Sequence, residues 1–217
     1  MTLSIFAFIA QSHRVDELRT TPMKSILNSL YFFWAVLSIP MLFMLYTLGT
    51  GQMSPHGLLH ETGEFSARFL IFALMISPLQ SIFKNPAWVL WLIRRRRALG
   101  LAAFAYAGLH TIMYLADKND LAIIWAEVFT IGIWTGWLAF AIFLPLAITS
   151  NNSSQRIFGK AWKPLQRCAY GAAILTLAHW IFIHNSFGGA LAHFVPLALL
   201  QTWRVRLRFA PGPQAAQ

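Results

Sequence analysis

The chain has 217 residues, 57% of them hydrophobic and only 11% charged. Soluble domains carry about a quarter charged residues, so an ordinary soluble fold is excluded. The net charge of +10 would suggest nucleic acid in a polar protein, but here the basic residues gather at the ends of apolar runs, and no nucleic-acid partner is expected. A single cysteine, Cys168, rules out an internal disulfide and a cysteine-ligated iron–sulfur cluster; it reads as a small packing residue. Nine Trp and 18 Phe suit a lipid-embedded bundle with aromatic belts.

In chain order, residues 1–24 are expected to form a cytoplasmic or interfacial N-terminal arm. Its apolar stretch LSIFAFIA is too short to span a bilayer, which takes roughly 20 residues. That stretch lacks a basic leader and a clear cleavage site, so no cleavable signal peptide is expected. The first span is expected at about 26–48, interrupted by Pro40, and the loop to His60 holds no Lys or Arg. The second span is expected at 64–83, with Pro78 near its end. A basic loop follows at 84–97, in which Trp88–Ile93 lies at the interface and four arginines close the segment. The third span is placed at 98–116, a turn at 117–120, the fourth span at 123–148, and a polar loop at 149–154. The fifth span covers 164–184, Asn185 to Gly189 turn tightly, and the sixth covers 190–207 around Pro196. Residues 209–217 are expected to form a disordered tail. The expected architecture is all-α: a six-helix transmembrane bundle over residues 25–208.

Basic residues set the orientation of such a bundle. With both termini in the cytoplasm, the inside segments hold Arg14, Arg19 and Lys24; Lys84 and Arg94–Arg97; Arg156, Lys160, Lys163 and Arg167; and Arg204, Arg206 and Arg208. Of the 17 basic residues, only Lys118 in an outer loop and Arg68 within a span are then left over. Glu61, Glu64, Asp117, Asp120 and Glu127 fall at or near the outer side.

Two histidines stand inside apolar runs. His110 lies 13 residues after Arg97, and His179 lies 12 residues after Arg167. At about 1.5 Å per residue, His110 climbs roughly 20 Å from the basic edge. Both helices climb the same way, so the two rings reach one level in the outer half of the membrane. An ionisable residue within a span is a functional site by default. Paired imidazoles at one depth suit a haem with both axial positions filled, a centre that carries electrons and leaves no open iron position. Small residues precede each histidine (Ala102, Ala103, Ala105, Ala107 and Gly108; Gly171, Ala172, Ala173 and Ala178) and leave room for a flat macrocycle or for close helix packing. Interhelical hydrogen bonding or a proton path is the competing reading of the pair.

The remaining candidates are weaker. His60, at the outer end of the second span, could reach a haem propionate, or Thr62 could cap the helix beside a solvated His60. Arg68 could pair with a propionate or snorkel outward. His184 and His193 flank the outer turn and read as interfacial; His56 falls in an outer loop. No spacing supports zinc at His56, His60, His184 and His193. There is no glycine-rich nucleotide loop and no nucleophile–base pair.

The stretches HETGEFSARFLIFALMISPL, RRRRALGLAAFAYAGLHTIMY, LAITS and RIFGKAWKPLQRCAYGAAILTLAHW, running from His60 to Trp180, resemble the MsrQ (YedZ) family. These are haem-binding membrane subunits of the periplasmic methionine sulfoxide reductase system, within the ferric-reductase-like transmembrane superfamily. The resemblance implies a six-helix cytochrome b in the bacterial inner membrane, multi-pass, with both termini cytoplasmic. It would be an electron-transfer subunit rather than a catalyst with its own substrate site. It would take electrons from quinol or a cytosolic flavin reductase and pass them to a periplasmic molybdopterin reductase. His110 and His179 match the family's haem-ligating histidines, the metal ligands expected here; FMN is left open as a further cofactor. One position departs: where the family carries a histidine 13 residues before His179, this chain has Gln166, opposite Arg97. A single haem b is therefore expected, near the outer side. The alternatives are an accessory subunit of a larger membrane complex, with or without haem, and a stand-alone ferric reductase-like oxidoreductase.

Overall fold

The structure is a computed structural model, and it describes residues 26, 28–184 and 187–209. The N-terminal arm 1–24 and, beyond Phe209, the tail lie outside the described residues. The chain divides into two compact units, Met1–Ile39 and Pro40–Gln217. In the first, Ser38 bonds back to the Trp34 carbonyl within its own helix. The second holds the site and is described below.

Every described element is helical. In chain order they are α1 Leu30–Gly49, α2 Pro55–Phe83, α3 Ala87–Lys118, α4 Leu121–Glu127, α5 Ile131–Ile148, α6 Asn152–Phe158, a 3₁₀ turn Gly159–Ala161, α7 Trp162–Arg167, α8 Ala169–His184 and α9 Phe187–Phe209. Helices α1, α2, α3 and α5 are long and apolar enough to cross a membrane. Their outward faces stay apolar, with Phe72, Ile112, Trp134 and Leu144 all exposed, and Ile174 of α8 is exposed likewise. A helix that is apolar all round belongs in lipid or in a large core.

Several boundaries differ from the sequence reading. The expected loop 84–97 is short: α3 starts at Ala87 and carries Trp88–Ile93 and all four arginines in one helix of 32 residues. Arginine is a good helix former, and its long stem lets the charge find a partner without leaving the helix. Arg96 donates to the Ala73 carbonyl of α2, and Arg97 to Asn152. The expected fourth span is broken at 128–130 into α4 and α5. Asp120 caps α4, and Glu127 at its end is held by Lys118 and Tyr114. The polar run 149–154 does not stay a loop, because Asn151 caps α6 by accepting from the Ser154 amide. The turn expected from Asn185 to Gly189 lies partly outside the described residues, and α9 already begins at Phe187. Cys168 is exposed at the α7–α8 junction, not packed.

Packing organises the helices in pairs: α2 lies against α3 and α5 against α8, with α9 on α2. The core between the pairs is built from Ala67, Leu70, Leu74, Ala103, Ala107, Phe143, Ala172, Ala173 and Trp180. Ala103 and Ala172 are fully buried, as small residues are where membrane helices approach closely. Ser66 reinforces the first pair by donating to the Ala103 carbonyl at 2.9 Å.

Candidate functional site

A cleft opens between the two helix pairs. Its cavity is about 100 Å³ and is partly open to the surroundings. Its walls are mostly apolar: Ala107 and Tyr114 from α3, Trp137, Phe140 and Phe143 from α5. Gly63 and Ser66 of α2, Gly136 of α5 and Thr176 of α8 also line it. Its two ionisable histidines are His110 and His179.

The two residues that the depth count sets at one level stand with ring centroids 6.0 Å apart and planes at 87°. Each ring is held from behind. Nδ1 of His110 lies 2.8 Å from the Leu59 carbonyl, and Nδ1 of His179 lies 2.7 Å from the Gly132 carbonyl. A carbonyl can only accept, so both Nδ1 atoms carry the proton and both Nε2 atoms keep a bare lone pair. The tautomer of each imidazole is thereby chosen by backbone.

The other candidates form a separate cluster. His60 lies one turn inside α2, and Ser54, not Thr62, caps that helix by accepting from the Gly57 amide. Thr62 is fully buried and donates to the Leu58 and Leu59 carbonyls. Arg68 is ion-paired with Glu64 and donates through Nε to Nε2 of His193 at 3.3 Å. His60 Nε2 faces Glu64 at 3.4 Å, and its ring meets His184 edge-on at 4.8 Å. His193 also lies against Trp180. Neither His60 nor Arg68 lines the cleft, whereas Gly63, Tyr114, Trp137 and Phe140, which the sequence reading did not single out, do. His56 faces Asp117 at 3.6 Å on the surface.

Gln166, at the level where the resemblance leads one to look for a further histidine, is engaged. Its amide donates to the Leu146 carbonyl at 3.2 Å and to the Thr149 hydroxyl at 3.1 Å. With Trp162, whose indole N–H donates to the Thr149 carbonyl, it closes the C-terminal end of α5. These are the carbonyls a helix end leaves without intrahelical partners.

Residues 62–177 match the family described as "Ferric reductase like transmembrane component". The chain belongs to this family. The matched segment begins beside Gly63, reaches to two residues before His179, and so takes in all but the end of the cleft. Among curated relatives, the protein-methionine-sulfoxide reductase heme-binding subunit MsrQ of Azospira oryzae is 38% identical over 152 residues, covering 66% of this chain and 62% of that protein. The protein of the same name from Klebsiella pneumoniae is 36% identical over 152 residues, covering 68% of this chain and 73% of its own length. The chain thus spans somewhat under two thirds of the Azospira relative. Within the ferric-reductase-like family, the described helices supply a membrane scaffold with two imidazoles facing one cleft.

Proposed function

We propose that this chain is a membrane b-type cytochrome that carries electrons to a periplasmic reductase of the methionine sulfoxide reductase type, through one haem held between His110 and His179. The carrying observation is the histidine pair. Metal–imidazole bonds of about 2 Å set two rings on one metal with centroids on the order of 6 Å apart, and the observed separation is 6.0 Å. Both Nε2 atoms are free to bind iron, and the backbone carbonyls behind them are the partners that ligating histidines use. The aromatic lining suits a macrocycle. The names of the two relatives, heme-binding subunits, support the same cofactor.

When bound, haem supplies a one-electron iron couple, and two imidazole ligands leave no open position for substrate. The residues of this chain do the rest. The Leu59 and Gly132 carbonyls hold the protons on Nδ1. Trp137, Phe140 and Phe143 give the cleft an apolar wall, which lowers the local dielectric. Arg68 would reach a propionate only by leaving Glu64 and His193, so we assign it, with His60, to the rim. Because the Gln166 amide is spent on α5, a second haem at the basic end has no ligand there. Electrons enter from quinol or a flavin reductase and leave toward a periplasmic molybdopterin enzyme. In this reading the chain lies in the bacterial inner membrane with both ends in the cytoplasm, α8 and α9 completing six crossings.

A redox-titrated absorption spectrum of the purified protein, with haem-to-protein stoichiometry, tests the reading. Low-spin bis-histidine bands at one haem per chain are expected, and each of His110→Ala and His179→Ala should abolish them. A protein expressed with ample haem that shows no Soret band would sink the proposal.

A further inference from the structure

We infer that Gly63 and Gly136 are positioning residues for His110 and His179, two copies of one backbone device that sets the ring planes and tautomers of the haem-facing imidazoles. The inference rests on the haem reading above.

The two copies match atom for atom. On α2 the Leu59 carbonyl accepts from His110 Nδ1, from Thr62 Oγ1 at 3.0 Å, and stands one turn before Gly63. On α5 the Gly132 carbonyl accepts from His179 Nδ1, from Thr135 Oγ1 at 2.9 Å, and stands one turn before Gly136. Both threonines are buried and bond a second carbonyl, Leu58 and Ile131. In each case an acceptor, a threonine three residues on and a glycine four residues on meet a histidine from the partner helix.

The glycine is what lets the ring in. A helical carbonyl is walled by the side chain one turn ahead of it, since residues i and i+4 share a face. A Cβ on Gly63 would stand 2.9 Å from His110 Nδ1, and one on Gly136 would stand 2.6 Å from His179 Nδ1. Side-chain carbons do not approach ring atoms so closely, so either substitution drives the imidazole off its carbonyl. Gly100 on α3 and Gly188 on α9 face open space instead. Each ring is anchored to its own glycine helix, and the 87° between the planes follows from two independent anchors rather than from contact between the rings.

The experiment compares Gly63→Ala and Gly136→Ala with Gly100→Ala and Gly188→Ala in the full chain, purified with haem. Alanine is the better helix former, so the helices themselves are not weakened. Losing an outer partner of a metal-bound histidine costs about 10–100-fold in affinity. That loss is expected for Gly136→Ala, and a smaller one for Gly63→Ala, whose contact is less tight. The controls should bind as the parent does. Perpendicular imidazole planes give oxidised low-spin iron a strongly axial, large-g paramagnetic resonance signal. The parent and controls should show it, and haem retained by the two test variants should drift toward a rhombic signal. If Gly136→Ala fails to accumulate, Gly63→Ala carries the same test. Parent affinity and an unchanged resonance signal in Gly63→Ala, with haem still lost in His110→Ala and His179→Ala, overturn this inference and leave the haem reading standing. Haem retained in both histidine variants overturns that reading and this inference with it.

Discussion

A histidine that donates Nδ1–H to a carbonyl becomes a stronger donor ligand as that hydrogen bond strengthens. The Gly132 carbonyl is shared between His179 Nδ1 and the Thr135 hydroxyl. Removing the hydroxyl leaves more of the oxygen for the imidazole. Thr135→Val should therefore make His179 more electron-rich, stabilise oxidised iron and lower the midpoint potential. The shift should be tens of millivolts, at or below the roughly 59 mV of a tenfold one-electron change. A spectroelectrochemical titration reads it, and a rise in potential would contradict the argument. The histidines themselves could be read in the sequence, because depth in a membrane helix is a matter of counting from the basic edge. Their glycines could not. The pairs Thr62-Gly63 and Thr135-Gly136 are visible as letters. What a glycine admits, however, depends on the residue opposite, and a single sequence does not give the register between helices. Arg68 shows the converse: its place in a span was legible, but its commitment to Glu64 and His193 was not.

At the scale of the helix, the prolines pose a problem that the fold answers with side chains. Pro78 has no N–H, so the Leu74 carbonyl one turn earlier loses its helical partner. Gln201 of α9 supplies one, its amide donating to the Leu74 carbonyl at 3.2 Å. Tyr106 does related work beside Pro40, where its hydroxyl accepts from the Met41 amide at 2.8 Å. In lipid such groups find no water, so partners within the bundle are required. Gln201→Leu should cost about 0.5–2 kcal/mol, the range for interhelical hydrogen bonds in membranes. In a Pro78→Ala background the cost should shrink, because an alanine in place of the proline returns an N–H to the Leu74 carbonyl. Thermal unfolding of the four proteins in detergent forms the cycle, and equal costs in both backgrounds would show that the two sites are not coupled. Apolar runs announced the helices well. Helix ends are less legible where charged residues lie inside a helix. Arg94–Arg97 continue α3 because Arg96 and Arg97 find acceptors on α2 and at Asn152 and Gln155.

Over the whole second unit, chemistry is sorted by end. At one end Arg96 and Arg204 gather near Tyr170, with Arg204 donating to its hydroxyl and Arg97 to Asn152. At the other stand His60, Glu64, His184 and His193, and beyond them Lys118 with Glu127. The asymmetry of charge along the sequence therefore corresponds to a polarity along the helices, with the histidine cleft nearer the acidic end. This polarity was legible from sequence because basic residues are costly to move across a membrane, whichever helices they sit on. The pairing of α2 with α3 and α5 with α8 was not, since nothing in an apolar stripe names its partner. If the basic end faces the cytoplasm, the haem proposed here lies near the periplasmic surface, within reach of an outer reductase. Fusions decide that point. A fluorescent protein joined after Gln217 should fluoresce, and alkaline phosphatase joined there should be inactive. Phosphatase placed in the turn between Lys118 and Asp120 should be active. The reverse pattern would put the histidines on the cytoplasmic side, where a periplasmic acceptor could not be served through this cleft.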